Sequence, residues 1–214
     1  MKKTQFVAFG LIIILLIFVI LLLNDKSQNK VDSSTETSQS SQSDNQTSSM
    51  YANMTGDQFD KAYLTDMIAH HQGALNMASQ ARELSTKAEI RTLADAILSS
   101  QATEVQQMMD WQQKWEYSGT DSSNPHAGHM MESSGSMGDD MANMEAKLNG
   151  LSGEAYDKEF LKQMILHHQQ AVDMSKYADT NAKHQEVKDL ARAVITAQEK
   201  EIADMKSWQQ KWGY

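Results

Sequence analysis

The sequence predicts an all-α protein: two helical hairpins, related by internal duplication, that form a four-helix bundle behind an N-terminal transmembrane helix. Three observations carry this prediction. The 214 residues include one proline, and long Ala/Glu/Gln/Lys/Met runs favour helix. Residues 57–117 align on 154–214 at a constant offset, without a gap. Within each copy the apolar residues recur at helical rather than strand spacing. A repeated unit of this kind rarely buries its own apolar face, so the two copies are expected to bury theirs together.

The elements follow in order. Residues 6–23 are apolar throughout and are preceded by Lys2 and Lys3. At 1.5 Å per residue that run spans roughly 27 Å, the thickness of a bilayer core. The lysines should stay cytoplasmic, so residues 1–26 read as a single-pass membrane anchor with the rest of the chain outside the cell. A cleaved signal peptide fits less well, because its apolar region is shorter and ends in small residues. Residues 27–54 are rich in Ser, Thr and Gln and read as a disordered tether. Residues 55–117 form the first hairpin, with capping-box spacing at Thr55–Gln58 and again at Thr86–Glu89. Residues 152–214 form the second hairpin, with Ser152 as the expected N-cap and a turn near Asn181. Between them, 118–151 reads as an irregular linker rich in His and Met.

A net charge of −9 argues against a nucleic-acid surface, which needs a basic patch. The absence of cysteine excludes thiolate catalysis and cysteine-based metal sites. The 15 methionines stand out, because Met130, Met131, Met137, Met141 and Met144 crowd a polar stretch where no core would need them.

The chemistry sits in the repeat. Met67-Ile68-Ala69-His70-His71-Gln72 returns as Met164-Ile165-Leu166-His167-His168-Gln169. On a helix His71 falls in the middle of the apolar stripe formed by Tyr63, Leu64, Met67 and Ala74, and His70 falls on its border beside Met77. His168 and His167, with Met164 and Met174, repeat the pattern. On the next helix Gln101, Glu104, Met108, Trp111 and Trp115 share one face, and Gln198, Glu201, Met205, Trp208 and Trp212 match them. The Trp and Met of this face read as core packing. Glu104 and Glu201, or Asp60 and Asp157, are candidates to orient an imidazole N–H.

One histidine on an apolar face is ordinarily a hydrogen-bonded core residue. Four in matched settings are harder to bury without partners. Imidazole with thioether is a donor set for copper, thioether suiting Cu(I) and imidazole Cu(II) or Zn(II). The expected ligands are therefore Met67, His70, His71, Met77, Met164, His167, His168 and Met174. His126, His129, Met130 and Met131 in the linker read as a mobile capture arm.

The blocks from Phe59 to Met77 with Gln101 to Trp111, and from Tyr156 to Met174 with Gln198 to Trp208, carry a shared pattern. It runs F/Y-D-x-x-F/Y-L-x-x-M-I-x-H-H-Q-x-A-x-x-M, followed by Q-x-x-E-x-x-x-M-x-x-W. The chain thereby resembles the family called domain of unknown function 305. That resemblance implies a ferritin-like helical fold and, because some members resemble periplasmic or surface copper-binding proteins, copper handling.

The leading expectation is a membrane-anchored extracytoplasmic protein that sequesters copper or passes it to a partner. A second is a ferritin-like redox enzyme with a dinuclear metal centre. Such centres use Glu-x-x-His pairs, and the sequence contains none. A third is a surface interaction module with purely structural histidines.

Overall fold

The computed structural model describes the backbone of residues 50–117 and 127–214, and the side chains of 50–117 and 137–214. The expected membrane anchor lies outside the described residues. Among the described residues no helix is long and apolar enough to cross a membrane.

The described chain is helical. Helix α1 spans Asp57–Leu84, α2 Ala88–Lys114, α3 Ala127–Ala146, α4 Gly153–Ser175, the short α5 Ala178–Asn181 and α6 Gln185–Trp212. Helix α1 packs along α2 and α4 along α6, and the two hairpins meet through α1 and α4. At about 100° per residue, Phe59, Tyr63, Met67, Ala74 and Met77 fall on one side of α1 and enter the core, with Tyr156, Phe160, Met164, Ala171 and Met174 at the equivalent places on α4.

The helix starts differ from the capping-box expectation. Gly56, not Thr55, is the N-cap of α1, at φ 64°, a left-handed conformation that glycine adopts without a Cβ penalty. Its N–H donates to the Asn181 carbonyl of the second hairpin at 2.8 Å, so the turn is shaped by contact between the repeats. Helix α2 begins after Lys87, and Thr86 is engaged elsewhere. Ser152 is the N-cap of α4 as expected, without a side-chain capping bond.

Two further expectations are corrected. The tether was expected to reach residue 54, yet Tyr51 is fully buried, packs edge-on against Phe59 and donates its hydroxyl to Asp66. The folded body therefore begins before α1. The segment 118–151 was expected to be irregular, yet most of it forms α3, which packs against α1. Met137, Met141 and Met144 are spaced as one helical stripe, and all three are buried in the core. A polar segment becomes a helix here because its methionines supply the apolar face.

Aromatic clasps close both ends of the bundle. Trp115 stacks on Trp111, with ring centroids 5.7 Å apart, and lies flat on His184 of the other hairpin at 3.7 Å. At the matching position Trp212 stacks on Trp208 and receives the Lys87 ammonium 4.9 Å from its ring. This cation–π contact replaces the imidazole stack.

Candidate metal centre

His70, His71, His167 and His168 are all fully buried. Where α1 crosses α4, the His70 and His167 rings lie against one another, tilted by 35°, with centroids 3.6 Å apart. Sequence reasoning placed these two on the border of the stripe, and that border is where the hairpins meet. His71 and His168 turn instead toward the second helix of their own hairpins. Their rings stand 6.3 Å from His70 and 5.9 Å from His167.

Hydrogen bonds fix which nitrogen carries the proton in three of the four rings. His71 Nε2 donates to Glu104 Oε2 at 2.7 Å, and His168 Nε2 donates to Glu201 Oε2 at 2.6 Å. His167 Nε2 donates to the His70 carbonyl oxygen at 2.8 Å. A carboxylate or carbonyl can only accept, so Nε2 holds the hydrogen in all three rings and a neutral ring has a bare Nδ1. Those Nδ1 atoms are buried and make no hydrogen bond, and neither nitrogen of His70 makes one.

Five imidazole nitrogens are thus withdrawn from water without a partner in one small region. Each such group costs about 1–3 kcal/mol. Against a typical domain stability of about 5–15 kcal/mol, packing alone is a poor reason to keep all five. Burial pushes the His70 and His167 rings well below their ordinary pKa, and the neighbouring imidazoles push the same way, so both are held neutral. Neutral imidazole with a free lone pair is the metal-binding form. The residues present therefore fit a metal ion.

Glu104 and Glu201 stand where a carboxylate orients a ligand ring through its far nitrogen. Asp60 and Asp157 do not touch the paired histidines. Asp60 accepts the Lys183 and His184 backbone N–H groups at 3.0 Å each and His184 Nδ1 at 2.6 Å. Asp157 accepts Ser85 Oγ at 2.6 Å, the Thr86 N–H at 3.2 Å and the Thr86 hydroxyl. Each carboxylate crosses to the opposite repeat and satisfies the start of its last helix, where backbone donors are otherwise orphaned. This explains how both stay fully buried.

Met67, Met77, Met164 and Met174 are buried in the same core as the four histidines. Among the described residues no three His, Asp or Glu side chains form a cage of their own. His126, and the side chains of His129, Met130 and Met131, lie outside the described residues. One asymmetry went unread in the sequence: Gly73 of α1 corresponds to Gln170 of α4. A Cβ at Gly73 would come within 2.8 Å of Met141 Cγ and Sδ, so α3 fits against α1 only because that position is bare.

The family described as Domain of unknown function (DUF305) matches residues 21–83 and 60–209. The chain belongs to this family. No curated protein matches it. Among solved structures, CopM in the Cu(I)-bound form is 29% identical at a TM-score of 0.57, covering 72% of this chain and 96% of CopM. CopM in the Cu(II)-bound form gives the same identity and TM-score, covering 98% of that chain, and Ag-bound forms match as well. A putative secreted DUF305 protein from Streptomyces coelicolor is 28% identical at a TM-score of 0.59, covering 72% of this chain and 93% of that one. A DUF305 fragment from Deinococcus radiodurans is 30% identical at a TM-score of 0.56, covering 71% and 95%.

Proposed function

We propose that this DUF305 protein binds copper in its buried histidine cluster, sequestering it or passing it to a partner outside the cytoplasm. The observation that carries the reading is the set of buried, unpartnered imidazole nitrogens gathered where α1 crosses α4. The copper- and silver-bound structures of CopM support it from the side of the family.

His70, His71, His167 and His168 would hold the ion through nitrogen. Met67, Met77, Met164 and Met174 would add thioether sulfur, the only soft donor in a chain without cysteine. Glu104 and Glu201 keep Nε2 protonated in His71 and His168, so each ring offers Nδ1. Bound copper would supply no chemistry beyond being held, because the reading is one of storage or transfer. In the same proposal residues 6–23 tether the protein to the membrane, and His126, His129, Met130 and Met131 deliver the ion to the folded site.

The test exploits the different protonation of the two donor types. Imidazole takes up a proton on acidification, below its ordinary pH 6.5 where it is buried as His70 and His167 are, whereas a thioether does not titrate in the accessible range. Protein loaded at pH 7.5 and dialysed at stepwise lower pH should release Cu(II) well before Cu(I). Equal loss of both ions would remove methionine from the ligand set.

A further inference from the structure

The two faces of the His70–His167 pair are chemically unlike. Position 170 follows His167 by one helical turn, and from there the Gln170 side chain approaches the His70 ring of the opposite hairpin. No nitrogen of His70 gains a hydrogen bond of normal geometry from it. By the repeat symmetry, a side chain at position 73 would reach the His167 ring in the same way. Position 73 is glycine, and the space its side chain would enter holds Met141 Cβ, Cγ and Sδ, at 3.0, 2.8 and 2.8 Å from a Cβ built there. Helix α3, which lies outside the aligned repeats, thus inserts a thioether where the duplication would have put an amide.

We propose that Met141 is a thioether ligand contributed by α3, completing a soft-metal site with His167 on the side of the pair opposite Gln170. The proposal rests on the copper reading above and names a donor from outside the repeated motif. Met141 is buried, His167 Nδ1 is buried without a partner, and the notch at Gly73 fixes the sulfur beside α1. Asn76 Nδ2 donates to Glu145 Oε1 at 2.9 Å one turn further on, which keeps α3 in register. A site with one amide-flanked and one thioether-flanked imidazole discriminates by softness: monovalent Cu(I) or Ag(I) gains from sulfur, and Cu(II) gains less. The insertion thereby converts a symmetric histidine pair into a directional one.

The experiment uses the full chain with 13C-methyl-labelled methionine, titrated with Ag(I) and, separately, Cu(II). Met141→Leu preserves the size and apolarity of the side chain and identifies its methyl resonance by loss. Expected are a shift of the Met141 methyl during the first equivalent of Ag(I), and Ag(I) affinity about tenfold weaker in Met141→Leu, with a smaller loss for Cu(II). Gly73→Gln, which restores the amide and expels the methionine, should weaken Ag(I) in the same sense. A Met141 methyl that stays fixed through saturation, with wild-type Ag(I) affinity in Met141→Leu, would overturn the proposal and leave the four-histidine reading standing. Wild-type protein that takes up neither ion would overturn both.

Discussion

The His167 ring donates from Nε2 to the backbone carbonyl of His70 at 2.8 Å, across 97 residues of sequence. The separation equals the repeat offset, so the bond joins equivalent positions of the two copies. It ties the hairpins together where their rings meet, and it leaves His167 Nδ1 as a buried lone pair. One contact thereby does structural work for the fold and chemical preparation for the site.

The buried pair makes the stability of the metal-free protein depend on pH. His70 and His167 have depressed pKa values in the fold, against an unfolded value near 6.5. Below that value the unfolded chain binds protons that the folded chain refuses, so stability falls as pH falls. It is fully present above about pH 6.5 and drops by up to about 1.4 kcal/mol per pH unit for each ring below it. Thermal melts of apo protein from pH 8 to pH 5 should show a flat Tm that declines below pH 6.5. A Tm that rises on acidification would contradict the neutral pair.

Removing an orienting carboxylate should weaken metal binding without removing a ligand. Glu104→Leu or Glu201→Leu frees the Nε2 hydrogen of His71 or His168, and loss of such a partner costs about 10–100-fold in metal affinity. Glu104→Gln keeps an acceptor oxygen and should lose less. Competition titration against a chromophoric Cu(I) chelator reads the difference, and equal affinity in all variants would show that the carboxylates are structural only.

The exchanged carboxylates should behave in the opposite way. Asp60→Ala and Asp157→Ala each leave helix-start donors unpaired and should destabilise by about 1–3 kcal/mol, read from urea unfolding. Copper stoichiometry should stay at the wild-type value, because neither residue touches the paired histidines. Loss of a full equivalent of copper in either variant would return them to the metal site.

Much of this architecture was legible in the sequence because duplication repeats its own signal. The helices of both hairpins, the burial of His71 and His168, and the carboxylate face of Glu104 and Glu201 all follow from helical spacing. What escaped depends on contact between copies, which no single-helix projection contains. Projection put His70 on the border of an apolar stripe, and only the crossing of α1 with α4 makes that border the centre. Asp60 and Asp157 read as neighbours of the histidines because they share their helix, yet each answers a turn of the other hairpin. The methionines of α3 looked like linker because their polar neighbours masked a stripe at positions 137, 141 and 144, and the bare Gly73 that receives one of them looked like an ordinary substitution.

The central claim is tested most directly by copper stoichiometry in the full chain, wild type against the variant with His70, His71, His167 and His168 all changed to Gln. Glutamine keeps polar, similarly sized side chains, and circular dichroism verifies that the helices persist. The account predicts stoichiometric copper in the wild type and loss of the tightly held copper in the variant. A folded variant that retains the wild-type stoichiometry and affinity would contradict it.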